Sequence, residues 1–123
     1  MSSPVWRCRA CDGSDWQKVL DNAFGHPDTR SSPALEAVGA HLYFVAGNEE
    51  TGLEVWRTLD GANWEQVGRV GFGNSNNEAP YCDNGVTVFN NRLFIGTENQ
   101  ANGAQVWLYL QNKVYSPLLM HGT

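Results

Sequence analysis

Four glutamates, Glu49, Glu50, Glu78 and Glu98, stand among the Gly, Asn and Thr residues of predicted loops. Glycoside hydrolysis uses two carboxyl groups on either side of the scissile bond, one as the acid and one as the base or nucleophile. Nothing in the spacing of these glutamates selects such a pair, and carboxylates in loops are more often simply solvated. We therefore predict no catalytic residue, and we favour a non-catalytic role over an enzymatic one.

Side-chain amides and an aromatic ring accompany the glutamates in the same loops. Asn and Glu can hydrogen-bond the hydroxyl groups of a sugar, while an aromatic ring covers its apolar side. The predicted ligand-binding residues are Asn48, Glu49, Asn74, Asn77, Glu78, Tyr81, Glu98 and Asn99. For Asn48, Asn74 and Asn99 a purely structural role competes with this interpretation, because Asn also satisfies the geometry of turns.

The cysteines and histidines form no complete metal site in the sequence. The segment Cys8-Arg9-Ala10-Cys11 is half of a zinc-binding pattern, and the other candidates, Cys82, His26, His41 and His121, are not paired at ligand spacing. Zinc shared between subunits and Ca²⁺ in the oxygen-rich loops are the weaker alternatives, the latter without EF-hand spacing. We predict no cofactor and no metal, and we expect Cys8 and Cys11 to be free thiols in a reducing compartment.

Composition and charge exclude two classes of partner. The chain has 123 residues and a formal net charge of -5, with a pI near 5.0 and no run of Lys or Arg. It therefore lacks the positive patch that binds nucleic acids or anionic membrane surfaces. No apolar run approaches the ~20 residues of a membrane span, and no hydrophobic signal region follows Met1. We expect one cytoplasmic domain over residues 1–123.

An internal repeat organises the chain and positions the residues above. Residues 42–56 align without a gap on residues 93–107 at an offset of 51, and both segments end in Val-Trp. Residues 12–19 align on residues 60–67 at an offset of 48, and both begin with Asp-Gly. Within each unit, β-branched and aromatic residues recur with period 2 between Gly, Asn and Asp, which predicts short strands.

The repeat predicts four strands, a to d, in each of two complete units, preceded by a c–d pair. These strands lie at about 5–6 and 16–20 for the pair, at about 35–38, 42–46, 55–56 and 64–69 for the first unit, and at about 86–89, 93–97, 106–107 and 114–118 for the second. Four short antiparallel strands repeated in this way are typical of β-propeller blades. We predict an all-β fold of antiparallel four-stranded propeller-like blades, about two and a half per chain: a half blade over about 5–21 and blades over about 34–70 and 85–119.

A propeller ring needs about 4 to 8 blades. Since the predicted blades are fewer, we expect the ring to be completed by homo-oligomerisation, unless the chain is a fragment of a longer propeller. The tryptophans after the repeated valines, Trp6, Trp56 and Trp107, are expected to pack between blades. In such a blade, the b–c loops and the d–a crossings emerge at one end of the sheet, and the a–b and c–d turns emerge at the other.

Residues 57–64, Arg-Thr-Leu-Asp-Gly-Ala-Asn-Trp, resemble the Asp-box hairpin, a Ser/Thr-x-Asp-x-Gly-x-Thr-Trp pattern found in sialidase-like propellers. The chain is similar to bacterial Asp-box propeller repeat proteins, as a short two-repeat member or a fragment, and this resemblance implies a fold and not an activity. The residues expected to have a structural role in these hairpins are Asp12, Gly13, Trp16, Asp60, Gly61 and Trp64. Asp accepts the amide hydrogens of the turn, Gly supplies an unrestricted φ, and Trp covers the hairpin.

Three hypotheses of function follow. The first is a non-catalytic binding module that recognises carbohydrate and acts as a homo-oligomer, using the long polar loops at the b–c end of the blades. The second is a scaffold for a protein partner, and the third is a glycosidase-like enzyme. Neither nucleic acid nor a membrane is an expected partner.

Overall fold

The computed structural model describes residues 4–20, 29–48, 50–78, 85–109 and 116–118. Its elements are β1 (Val5–Arg7), β2 (Gln17–Leu20), β3 (Thr29–Val38), β4 (His41–Asn48), β5 (Glu54–Thr58), β6 (Trp64–Gln66), a 3-10 turn (Val70–Gly73), β7 (Val86–Phe89), β8 (Arg92–Thr97), β9 (Gln105–Leu108) and β10 (Ser116–Leu118). Within these residues, no helix is long and apolar enough to cross a membrane.

In the described part of the chain the strands form three sheets, and all their pairings are antiparallel. Strands β1 and β2 form the N-terminal hairpin, β3 to β6 the central sheet, and β7 to β10 the C-terminal sheet. Both four-stranded sheets place their strands side by side in chain order. The predicted all-β class is therefore confirmed, and the two sheets share the strand order that the sequence repeat predicts.

The observed strands follow the predicted ones, and only the start of β3 and the end of β6 differ by three residues or more among the described strands. Strand β3 starts at Thr29 instead of about residue 35, because a register shift between Arg30 and Ala34 lets its first residues pair with the end of β4. Strand β6 ends at Gln66 instead of about residue 69. The chain turns there at Gly68, whose φ is 74°, a left-handed conformation that suits glycine.

Strand β4 is the centre of the structure because it is buried on both faces. Tyr43, Phe44, Val45 and Ala46 are each at most 3% exposed. Successive side chains of a strand point to opposite faces, and here Tyr43 and Val45 pack with the C-terminal sheet, while Phe44 and Ala46 pack with the N-terminal hairpin. The central sheet is therefore covered on both sides, and it lies between the other two sheets.

The C-terminal sheet shows the alternation of a strand that is covered on one side. In β8, Leu93, Ile95 and Thr97 are at most 3% exposed, while Phe94 and Gly96 between them are half-buried. Leu93 and Ile95 share a cluster with Tyr43, Val45 and Val55 of the central sheet. The two four-stranded sheets are therefore packed face to face across one hydrophobic core.

The turn between β7 and β8 has the conformation that its sequence predicts. Asn90 and Asn91 have φ values of 51° and 58°. Two successive positive φ values define the type I′ turn, which matches the right-handed twist of a two-residue hairpin, and Asn tolerates them better than most residues. The prediction that these asparagines form a tight left-handed turn is confirmed.

The loop between β4 and β5 is pressed against the crossing that leaves the central sheet. Leu53 donates its backbone N–H to the carbonyl of Asn77 at 2.9 Å, and its own carbonyl accepts from Gly71 at 2.7 Å. A Cβ added to Gly52 would lie 2.7 Å from the Cα of Gly71. Gly52 is therefore required for this close approach as well as for its φ of 96°.

The repeat supplies a matched control for this contact. Gly103 occupies the position equivalent to Gly52 and has a φ of 92°, but an added Cβ would meet no atom within 4 Å. Both Gly52→Ala and Gly103→Ala impose the strain of a positive φ, and only the first adds a backbone overlap. We expect urea unfolding to show that Gly52→Ala loses about 1–3 kcal/mol more stability than Gly103→Ala. Equal losses would contradict the close approach.

Candidate functional site

The Asp-box segment between β5 and β6 is held by one carboxylate. Asp60 accepts hydrogen bonds from the backbone N–H groups of Ala62 and Asn63, both at 2.8 Å, and from the Asn63 side chain at 2.6 Å. Gly61 has a φ of 79° and donates its N–H to the Thr58 hydroxyl at 2.9 Å. These contacts are those expected of Asp60 and Gly61 from the sequence.

In the N-terminal hairpin two carboxylates share this task. Asp12 accepts only from the backbone and the hydroxyl of Ser14, at 2.9 and 2.6 Å, next to Gly13 with a φ of 95°. Asp15 accepts the backbone N–H groups of residues 9 to 11 at 2.6 to 3.2 Å. Asp15 aligns with Asn63 and was not among the predicted structural residues, but its carboxylate holds the longer hairpin.

The same hairpin corrects the expectation of free thiols. Cys8 and Cys11 are joined by a disulfide bond, with their Cα atoms 5.0 Å apart. The two cysteines face each other because the chain turns tightly between them, with Cys11 at a φ of 58°. Within the described residues, no group of three or more His, Cys, Asp or Glu side chains could hold a metal ion.

The two hairpin tryptophans differ in environment. Trp64 is half-buried, and its ring packs edge-on against Phe44 with centroids 6.1 Å apart. Trp16 is 53% exposed, so in the described structure it does not cover its hairpin as expected. Both rings point away from the following sheet, and the difference arises because the hairpin lies behind Trp64, whereas no sheet of the described residues lies behind Trp16.

The asparagines of the b–c loops are used by the loops themselves. Asn48, which is 4% exposed, accepts the backbone N–H groups of residues 50 and 51 at 3.0 and 3.2 Å. Asn99, which is 6% exposed, accepts those of residues 101 and 102 at 2.9 and 2.7 Å. The repeat thus places an equivalent side-chain turn in each loop, and the structure shows the turn role that competed with ligand binding.

Asn77 connects these loops through its buried side chain. It is 1% exposed, donates its side-chain N–H to the Gly71 carbonyl at 2.9 Å, and accepts from the Asn99 amide at 2.9 Å. Asn74 caps its own turn by accepting from the N–H of Asn76 at 3.0 Å, and it donates to Asn102 at 3.0 Å. The amides of Asn74, Asn77 and Asn99 therefore hold the crossing and the second loop together.

Two of the predicted loop carboxylates do come together. Glu78 and Glu98 form an isolated antiparallel bridge, exchanging two backbone hydrogen bonds of 2.8 Å. Directly opposite residues point to the same face, and like charges placed so are mildly unfavourable. Glu49 and Tyr81 lie outside the described residues. A ligand-binding role for these four residues stays a prediction.

A cleft of about 490 Å³ lies at the other end of the molecule, between the central and C-terminal sheets. Its walls carry the a–b turns and the side chains at the ends of β4, β5 and β9. The polar groups that line it are those of His41, Tyr43, Arg57, Asn90, Asn91, Arg92 and Tyr109. Two of its lining residues are arginines, and none is Asp or Glu.

Arg57 crosses the cleft from one sheet to the other. Its Nη1 donates to the hydroxyl of Tyr109 at 2.9 Å, and its Nε forms an ion pair with Glu65 on the neighbouring strand. Tyr109 also packs edge-on against Tyr43, with centroids 5.6 Å apart. The guanidinium is therefore oriented from two sides, and an exposed ion pair of this kind contributes more to orientation than to stability.

The surroundings of Arg57 and Tyr43 fix the protonation states of these two side chains. Burial raises the pKa of Tyr43, and its hydrogen bond with Arg57 only partly opposes this. Burial works to lower the pKa of Arg57, but hydrogen bonds with Glu65 and Tyr43 outweigh it and raise that pKa above its usual value. Arg57 therefore stays charged, and Tyr43 stays a protonated phenol at neutral pH.

This cleft was not predicted, because the long polar loops in which binding was expected lie at the other end of the sheets. A signal was present: Arg7 and Arg57 occupy the same repeat position. In the structure Arg7 also reaches the next sheet, donating to the Asp60 carbonyl at 2.9 Å, and it is oriented by Gln17 as Arg57 is by Glu65. The repeated arginine therefore lies between neighbouring sheets in both repeat units, and a cleft is present at Arg57.

The buried amide network can be tested at Asn77. Asn77→Ala removes the acceptor of the buried Asn99 amide and one of the two donors to the Gly71 carbonyl, and the loss of a buried hydrogen-bond partner destabilises by about 1–3 kcal/mol. We expect urea unfolding to show a loss in this range or above it. The neighbouring Asn76→Ala changes an exposed side chain and should have little effect. A loss as small as that of Asn76→Ala would contradict the network.

Asp60 makes stability depend on pH in a defined direction. Hydrogen bonds from the Asn63 and Ala62 backbone hold the pKa of Asp60 well below its ordinary value of 3.8. A carboxylate with a lowered folded-state pKa stabilises the fold above the ordinary value, and this contribution is lost as the pH falls toward the folded pKa. Asp60→Asn should therefore be less stable than wild type at neutral pH, and the difference should shrink below about pH 4 in thermal scans.

The control for Asp60 is Leu59→Ala, which alters the same hairpin at a side chain that is 70% exposed and that carries no titratable group. Its difference from wild type should not vary with pH. If the Asp60→Asn difference is equally constant between about pH 2 and pH 7, the carboxylate does not hold the turn.

Comparison with family models, with curated proteins and with solved structures finds no match to this chain. Its function must therefore be inferred from the chemistry of the residues that the fold brings together, and the arginine-lined cleft between the two four-stranded sheets is the candidate site.

Proposed function

We propose that this protein is a non-catalytic binding module that holds a small acidic carbohydrate in the cleft between its two four-stranded sheets. The observation that carries this proposal is the lining of the cleft, which combines Arg57 and Arg92 with tyrosine hydroxyls and asparagine amides and includes no acidic residue. Arginine binds carboxylates through its planar pair of N–H donors. Hydroxyl and amide groups suit the hydroxyl groups of a sugar.

Size and environment support the same ligand class. The cleft volume of about 490 Å³ falls in the range of about 300–1,000 Å³ that is usual for small-molecule sites. Arg57 is held in place by Tyr109 and Glu65 before any ligand arrives, so binding does not have to order it. The aromatic pair of Tyr43 and Tyr109 provides an apolar floor beside these polar groups.

The lining also favours binding over hydrolysis. A glycosidase of the two-carboxylate type needs an acid and a second carboxyl group on either side of the bond, and the cleft residues include neither Asp nor Glu. The adjacent Glu78 and Glu98 lie on the crossing and in the b–c loop, at the opposite end of the strands from the a–b turns that line the cleft. The glycosidase hypothesis therefore has no support from this site.

The propeller interpretation remains part of the proposal. Two antiparallel sheets with the same strand order, packed face to face across one core, support the view that they are propeller-like blades of the Asp-box type. The hairpin of β1 and β2 then corresponds to the two outer strands of a further blade. In a homo-oligomer each chain would present one such cleft, and repetition of a weak site raises the overall affinity.

Ligand binding can be measured with two matched sugars. Glucuronic acid and glucose differ by one carboxylate, so isothermal titration or ligand-observed NMR should detect tighter binding of glucuronic acid. Arg57→Gln removes a charged hydrogen-bond donor and should weaken that binding about tenfold or more. Arg7→Gln, at the equivalent repeat position outside the cleft, should leave it unchanged. Arg92→Gln, an exposed position, should also weaken it, and it serves as a second test if Arg57→Gln folds poorly.

Two results would overturn this proposal. One is equal affinity for glucuronic acid and glucose, which would remove the role of the arginines. The other is a loss of affinity in Arg7→Gln as large as that in Arg57→Gln. Such a loss would show that binding of glucuronic acid responds to the charge of the whole chain and not to the residues of the cleft.

A further inference from the structure

Each face of the central sheet has a different neighbour. Tyr43 and Val45 contact the C-terminal sheet. We call this side of the central sheet, and the side that corresponds to it by the repeat in the other two sheets, the forward face. Phe44 and Ala46 contact the N-terminal hairpin, and we call this side the backward face. Since the repeat aligns β4 and β5 on β8 and β9 at an offset of 51, every position on one sheet has a counterpart on the other.

On the backward faces, equivalent tryptophans differ in burial according to what lies behind them. Trp107 of the C-terminal sheet is 7% exposed because it packs on the central sheet, and Trp56 is half-buried against the hairpin. Trp6 holds the same place in the hairpin but is 50% exposed, and Trp16 beside it is 53% exposed. The backward face of the hairpin is thus built like the covered faces and has no sheet on it in the described part of the chain.

The forward face of the C-terminal sheet is open in the same way. Phe89 is 64% exposed, whereas its counterpart Val38 packs against the core. Phe94 is half-buried, whereas its counterpart Tyr43 is 3% exposed. The ring centroids of Phe89 and Phe94 lie 6.3 Å apart, so the two rings form one continuous aromatic patch. An aromatic patch of this kind marks an interaction surface.

We propose that these two faces bind each other between copies of this chain, with the hairpin of one copy docking on the C-terminal sheet of the next. The pairing of a forward face with a backward face is the one already present inside the chain, between the central and C-terminal sheets. A second copy is therefore the partner whose surface repeats the internal contact. This inference rests on the homo-oligomer of the proposed function and specifies its interface.

The polar residues of the two faces do not select the pairing by charge. The hairpin face carries Lys18, whose ammonium lies 5.3 Å from the centre of the Trp6 ring. The forward face of the C-terminal sheet carries Arg92, which pairs directly with Phe89, as well as Glu98 with Glu78 opposite it. The preference for head-to-tail pairing therefore rests on the repetition of the contact inside the chain.

The geometry has a consequence for assembly. A contact between two different faces is heterologous, so repetition leads to a closed ring or to an open filament. An open assembly keeps one unused face at each of its two ends, one of each kind, until the ring closes. Binding should depend on a few aromatic side chains near the centre of the contact, which here are Trp6 on one face and Phe89 on the other.

Light scattering behind size exclusion, across a dilution series, tests the interface with three variants. Trp6→Glu and Phe89→Glu each place a carboxylate on one proposed face, and since both side chains are at least half exposed, the fold of the chain should persist. We expect each variant to dissociate at a concentration about 10-fold higher than wild type or more. Leu59→Glu changes a side chain that is 70% exposed on the c–d hairpin, outside both faces, and should assemble as wild type does.

Mixing the two face variants distinguishes this interface from any other. Trp6→Glu retains an intact C-terminal face and Phe89→Glu retains an intact hairpin face, so an equimolar mixture should form a dimer that grows no further. A monomeric wild type at every concentration, a mixture that stays monomeric, or an equal effect of Leu59→Glu would each overturn the proposal. The cleft lies within one chain and away from Trp6, so binding of glucuronic acid by the Trp6→Glu variant tests the proposed function separately.

Discussion

The structure depends on one constraint, which is that strand β4 has no face that can meet water. Four successive residues, Tyr43 to Ala46, are almost completely buried, and since their side chains alternate in direction, the sheet needs an apolar neighbour on each side. The C-terminal sheet supplies one neighbour and the N-terminal hairpin the other. The stacking of the sheets follows from this requirement, and so does the space between them in which the cleft is formed.

Polar groups are divided unequally between the two ends of the stack. At the loop end, the buried side-chain amides of Asn48, Asn77 and Asn99 are hydrogen-bonded to backbone groups of the loops and the crossing, as buried polar groups require. At the turn end, tight hairpins satisfy their own backbone, and Asp60 alone accepts several hydrogen bonds of its turn. Arginine and tyrosine side chains remain there to face the cleft, which is why the turn end and not the loop end carries the proposed site.

The repeat also links folding to assembly. A sheet whose two faces are both apolar stabilises the next sheet and is stabilised by the one before it, as in other repeat architectures. The alternation of side chains places Trp6, Trp56 and Trp107 on equivalent faces, because it is a local property of each strand. Their burial differs because it depends on whether another sheet covers that face, and Trp6 is left half exposed. The proposed function and the proposed assembly therefore use different surfaces: the cleft lies between two sheets of one chain, and the proposed contact lies on the outer faces of the stack.

The period of the repeat, the positions of most strands and the turn types were readable in the sequence, because they depend on neighbouring residues. The Asn90-Asn91 turn and the Asp60-Gly61 hairpin are local solutions to local geometry. The tertiary structure decided which polar groups stay available. Asn77 and Asn99 meet 22 residues apart in the chain, and Arg57 meets Tyr109 across 52 residues. Such contacts depend on how the sheets stack and on the path of the crossing between them, and a pattern of period 2 carries no information about either.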